Sequence, residues 1–145
     1  MKKVIVFVID SLHPVVLGRI LSEGNAPAFR FLAKHGTYFD SVISSFPTMT
    51  PVATSSMITG TWPDRHRVPG FIWYNEEKRK IVDYGATLRS VLKIGPEKVL
   101  RNLLNKLNEE HLAPKVSTLY EKLEARGFTT GNINFLCIEP HTLIE

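Results

Sequence analysis

Two residues have the types and positions from which chemistry could be built. Asp10 closes the apolar run Val4-Ile5-Val6-Phe7-Val8-Ile9, and Thr50 stands before Pro51 at the start of the small and apolar stretch Val52 to Ile58. A carboxylate at the carboxyl end of a buried strand lies where open α/β sheets place ligands. It is equally a residue that forms turns, and Ser11 and Pro14 follow it. Pro is tolerated at the first helical position because its missing N–H would be unpaired there. Thr50 is therefore expected to be an N-cap at the positive end of a helix. A hydroxyl there is either an ordinary cap or a nucleophile with an anion beside it. If the two strands are neighbours, Asp10 and Thr50 meet at one sheet edge. Asp10 then offers a hard oxygen to a divalent cation, which lowers the pKa of the Thr50 hydroxyl. That hydroxyl attacks phosphorus while first-turn amides stabilise the developing charge.

Two oxygens do not complete a metal site, since zinc normally takes four ligands. The other candidates are His13, His35, His66, His111, Glu139 and His141, and no pair has a ligand spacing such as HExxH. His66 lies in the turn Trp62-Pro63-Asp64-Arg65-His66 and reads better as a structural hydrogen-bonder than as a ligand. Glu139 and His141 read better as a polar terminus. Arg65 and Arg67 are either phosphate contacts or solvated surface charges. Trp62, Phe71, Trp73 and Tyr74 could stack on a substrate or pack a core.

The elements that must position these groups follow from the apolar pattern. Val4–Ile9 lacks polar alternation and is mostly β-branched, which predicts a central parallel strand covered on both faces. Pro14–Leu21 predicts a short helix. A second helix follows, capped by Asn25 and ended at Gly36. Tyr38–Ile43 predicts a second strand, and strand, helix and strand in this order suggest a right-handed crossover. The helix from Val52 ends at Gly60. Beyond it, Phe71–Tyr74 reads as a short strand or part of a pocket wall, Glu76–Lys80 as a charged loop or turn, and Ile81–Val82 as the start of another short element. Helices are expected at Ala86–Leu92, Pro96–Leu107 and Pro114–Arg126, and a strand at Phe128–Phe135.

Length and composition bound the rest. A chain of 145 residues suffices for one domain with its own core. The net charge of +4 is mild and scattered, with no basic stripe of interleaved aromatics, so nucleic acid is not an expected partner. One cysteine, Cys137, allows neither an internal disulfide nor a cysteine zinc cluster. That agrees with a reducing compartment, and a cytoplasmic location is expected. Val4–Ile9 is too short for a signal peptide, and no stretch could cross a membrane.

The ordered segments VIVFVID at 4–10, NAPAFRFLAKHGTYFDSVISSFPTMTP at 25–51 and SMITGTWPDRHRVPG at 56–70 resemble the alkaline phosphatase superfamily. The likeness is to its type I phosphodiesterase and nucleotide pyrophosphatase branch, and Leu119–Phe135 continues it. The resemblance implies an α/β fold, the N-terminal portion of a three-layer α/β/α sandwich with a mostly parallel sheet. Residues 1–145 would be a truncated catalytic domain, with 71–113 a small cap or insertion. It implies Asp10 as a metal ligand, Thr50 as metal-bound nucleophile forming a phosphoryl-enzyme, and two zinc ions in the complete enzyme. It further implies a phosphate ester as substrate, a phosphodiester or nucleotide being the expectation. Many relatives carry an Asn shortly after the nucleophile where this chain has Ala53. Thr54 or Arg65 is the expected substitute for it. The remaining metal ligands of the family lie in a C-terminal half beyond these segments, so the chain alone is expected to be inactive. The alternative is an inactive α/β fragment that binds or homo-oligomerises.

Overall fold

The computed structural model describes residues 3–102 and 110–132. The chain divides into two compact units, Met1–Ile43 and Ser44–Glu145. In the first unit, helix α1 (Pro14–Glu23) begins at His13, whose Nδ1 accepts from Val15 N at 3.3 Å. It ends at Gly24 in the left-handed region. Helix α2 (Pro27–His35) starts after Ala26, which supplies no side-chain cap. The expected cap, Asn25, points its amide at Glu23 instead. Arg30 on α2 donates to the Leu21 carbonyl at 2.8 Å, tying the second helix back to the first. Leu17, Leu21, Phe29, Leu32 and Ala33 line the small space between them.

Val4–Ile9 and Tyr38–Ile43 are not strands in any ladder. The physical reason lies in the cover. A parallel strand is stable when neighbours pair its backbone and both faces are buried, yet Phe7 is 81% and Ile43 95% exposed. Among the described residues, the sheet is instead a two-stranded antiparallel hairpin in the second unit. The molecule is thus a mixture of helices and a small antiparallel sheet, α/β in the general sense.

The second unit opens with helix α3 (Thr50–Thr59) and the single turn α4 (Pro63–His66). Strands β1 (Ile72–Asn75) and β2 (Lys80–Asp83) pair Trp73 with Val82 and Tyr74 with Ile81. The turn between them is the expected charged segment, and Asn75 Oδ1 accepts from Lys78 N at 2.9 Å to shape it. After β2 the chain turns sharply at Gly85, φ +83°, where Asp83 Oδ1 accepts from Gly85 N at 2.7 Å. A Cβ added there would lie 2.8 Å from Val99 Cγ1. Helix α5 (Leu88–Ile94) starts in a reciprocal Thr87–Ser90 capping box, and α6 (Pro96–Arg101) follows Gly95. Buried Asn102 donates from Nδ2 to the Asp83 carbonyl at 3.0 Å, returning this arm to the hairpin.

Helix α7 (Leu119–Glu124) begins five residues later than the expected start at Pro114. A Thr118–Glu121 capping box sets its first turn, and a specific cap overrides a Pro that is merely tolerated. Residues 128–132 join no ladder. The rest of the expected strand to Phe135, the end of the helix expected to Leu107, and Cys137, Glu139 and His141 lie outside the described residues. Among the described residues no helix is long and apolar enough to cross a membrane.

Ile58, Val68, Val82, Tyr84 and Leu112 form the buried core, with Phe71, Trp73 and Tyr120 packed on it. Val68 is fully buried, while Ile81 on the opposite face of β2 is 67% exposed. We expect Val68→Ala to destabilise the chain by about 2 kcal/mol, from lost burial plus a cavity. Ile81→Ala should stay within about 0.5 kcal/mol of the parent. Urea midpoints at constant m-value measure both.

Candidate active site

The loop Ser44–Met49 delivers the chain to α3. Its Phe46–Pro47 peptide is cis. Met49 N then donates to the Pro47 carbonyl at 2.9 Å. Met49, in extended backbone, is the N-cap, and its carbonyl accepts from Ala53 N at 2.9 Å. Thr50 is therefore the first helical residue, not the cap, and Pro51 is the second. This shift by one residue has a chemical consequence. The Met49 side chain makes no capping bond, and Val52 N–H, in the first turn at the positive end of the helix, has no intrahelical acceptor. The Thr50 side chain sits half-buried at that end.

Helix α3 buries Pro51, Val52, Thr54, Ser55, Ile58 and Thr59, so its small residues let it pack closely. Thr54, one turn beyond Thr50 on the same face, is 3% exposed. Ala53 is half-buried between them in sequence. Arg65 is exposed on α4, and Arg67 pairs with Glu77. Asp10 belongs to the first unit, is exposed, and accepts from Ser11 N at 2.8 Å through Oδ1. Thr50, Thr54 and Arg65 all belong to the second unit.

The imidazoles among the described residues make the following contacts. His13 caps α1, and His35 Nδ1 lies 2.9 Å from the Phe31 carbonyl of its own helix. His111 is buried with Nδ1 2.8 Å from Tyr84 Oη, and Trp73 meets its ring edge-on at 6.0 Å between centroids. His66 is fully buried. Its Nδ1 accepts from Val68 N at 3.1 Å, so that nitrogen carries no proton, and Nε2 must donate to Ser56 Oγ at 3.0 Å. The ring thus fastens the middle of α3 to the loop behind α4. The His66 carbonyl accepts from Ala113 N at 3.1 Å, and Lys122 Nζ donates to the Thr59 carbonyl at 2.9 Å. Sequence reasoning read the His66 role from its place in a turn. It did not reach Ser56 as partner, because Ser56 looked like one more small helix residue.

Among the described residues no group of three or more His, Cys, Asp or Glu side chains is placed to hold a metal ion. The donors in question, the Asp10 carboxylate and the Thr50 hydroxyl, are both hard oxygens, the type a divalent cation accepts. By donor type each suits such an ion, and two oxygens are fewer than its ligand shell takes.

The His66 arrangement sets a pH dependence. Desolvation pushes the ring below its ordinary value of 6.5, against a smaller raising effect from Asp64. The unfolded chain therefore takes up the proton first as pH falls. Stability conferred by the neutral ring is complete above about pH 6.5 and declines as pH drops from there through the lowered folded-state value. Replacing His66 with Phe should flatten this part of the stability-versus-pH curve and cost about 2 kcal/mol at neutral pH, since Val68 N–H and Ser56 Oγ lose their partner. Chemical unfolding from pH 4.5 to 8 tests both.

The family model described as type I phosphodiesterase / nucleotide pyrophosphatase matches residues 4–144. No curated protein and no solved structure gives a match.

Proposed function

The chain belongs to the type I phosphodiesterase/nucleotide pyrophosphatase family, and on that premise we propose that it carries the nucleophile of a phosphoric-ester hydrolase, Thr50. The observation that supports this reading is the position of Thr50 as first residue of a helix without a side-chain cap. Its hydroxyl stands at the positive end of that helix, beside the first-turn amides, which suits a phosphate ester whose charge grows during attack. A phosphodiester or a nucleotide is the proposed substrate.

The chain's own residues divide the work as follows. Thr50 Oγ bonds to phosphorus as the bond to the leaving alcohol breaks. The hydroxyl proton is released, and the departing alkoxide is protonated from water. Water then adds to phosphorus, the Oγ–P bond breaks, and Thr50 regains its proton. First-turn amides of α3 favour the oxyanion charge in both steps. Thr54, buried one turn below, and Arg65, exposed on α4, are the proposed contacts for the phosphate oxygens. Members of this family are generally metal-dependent. Asp10 and Thr50 would contribute oxygen ligands, and zinc is the proposed ion. Bound there, it would supply positive charge that makes the hydroxyl more acidic.

Thr50→Ala, made in the complete enzyme, should lower kcat by at least about 10³-fold while leaving the melting temperature within about 2 °C, and Thr50→Ser should keep a measurable fraction. Retention of full turnover by the Ala variant would remove Thr50 from the mechanism. The 145-residue chain alone should hydrolyse bis-p-nitrophenyl phosphate little or not at all, with or without added zinc. A second reading, an association module without turnover, is favoured by the exposure of Val4–Ile9. A monomeric mass by light scattering, constant over a hundredfold concentration range, would dispose of it.

A further inference from the structure

The second unit contains a groove of about 870 Å³ that includes no residue of α3 in its lining. Its floor is apolar and aromatic. Trp73 from β1, Leu112 and Val116 from the segment before α7, and Tyr120 from α7 line it. Leu112 belongs to the core, and Trp73 and Tyr120 pack against that core, so both rings are held from behind. Fixed aromatic faces of this kind favour an apolar body and attract a cation.

The rim has a definite sign. Glu76, Glu77, Glu110, Glu121 and Glu124 stand against Arg67 and Lys78. This local excess of carboxylate is set in a chain whose net charge is +4, so it is not a reflection of overall composition. Three of the five carboxylates have structural partners. Glu77 pairs with Arg67, Glu110 with Lys78 and Lys80, and Glu121 closes the α7 capping box. Those bonds also cancel the two rim cations. Glu76 and Glu124 have no such side-chain partner among the described residues, so no ion pair offsets their negative charges at the mouth. A phosphate ester would be repelled there, which separates this groove from the phosphate chemistry proposed at α3.

We propose that the groove is a binding site for a small amphipathic organic cation, an ammonium group on an aromatic or aliphatic body. The volume lies in the range of small-molecule sites, about 300–1,000 Å³. The body lies on Trp73 and Tyr120, and the ammonium group faces Glu76 and Glu124. The combination of an aromatic floor with a carboxylate rim selects for positive charge and for apolar surface in the same ligand.

The test uses the full chain with Trp62 replaced by Phe, so that Trp73 is the only indole. Trp62 is 64% exposed, and the replacement leaves the core untouched. Phenethylammonium, 2-phenylethanol and phenylacetate present one ring with positive, neutral and negative ends. Titration followed by Trp73 fluorescence should show saturable binding of the cation, at least tenfold weaker binding of the alcohol, and none of phenylacetate. Raising salt from 20 to 300 mM should weaken the cation severalfold. A Glu76→Gln, Glu124→Gln double variant should lose about tenfold in affinity for the cation and nothing for the alcohol. Both positions are exposed, so the double variant retains the fold, which its circular dichroism confirms. Equal responses to the three compounds, unchanged affinity in the double variant, or cation binding that leaves Trp73 emission unaltered would each overturn the proposal.

Discussion

The second unit depends on keeping one imidazole neutral. With Nδ1 accepting from Val68 N and Nε2 donating to Ser56 Oγ, His66 can satisfy both neighbours in a single protonation state and tautomer. A buried charged ring would present a second donor to the Val68 amide and carry a desolvation cost as well. The consequences spread along the chain in both directions. Val68, brought in by that bond, is a fully buried member of the core. The His66 carbonyl holds Ala113, which leads toward α7, and α7 returns Lys122 to the end of α3. Helix α3, the turn behind it and α7 are thereby closed into one loop of contacts.

That closure bears on Thr50 through rigidity. A helix of ten residues standing alone would be marginal in water. Here the middle of α3 is gripped by His66, its end by Lys122, and one face is buried along much of its length. The first turn, which holds the Thr50 hydroxyl, lies at the other end of the helix. The anchoring contacts thus fall on the middle and end of the helix, and the proposed nucleophile stands at its start.

Much of this could be read from the sequence where the signals are local. Thr50-Pro51 and Gly60 bracket α3 because Pro presets the first turn and Gly takes the left-handed end. The charged turn and the short segments beside it were legible, whereas their pairing as an antiparallel hairpin was not. Local signals failed by small steps when two of them competed. Met49 caps α3 with backbone alone, which side-chain preference cannot reveal, and Thr118 with Glu121 displaced the helix start suggested by Pro114. The larger departure concerns Val4–Ile9, because a strand is defined by a partner and its apolar run specifies only the demand for one. The candidate site divides the same way. The position of Thr50 at a helix start was visible in two adjacent letters, whereas its relation to Asp10 rested on strand order. The groove joins residues from β1, the hairpin turn and α7, and no spacing in the sequence signals it.

The corner after β2 has a meaning for the history such a chain can have. Two independent penalties meet at Gly85: a backbone angle that side chains avoid, and a neighbour that the first carbon of any side chain would strike. Relieving the collision by trimming Val99 would leave the angle, and relaxing the angle would leave the collision. No single further change rescues a substitution there, so drift through this position requires several alterations at once. The corner that joins the hairpin to the helices after it therefore carries both constraints at a single residue.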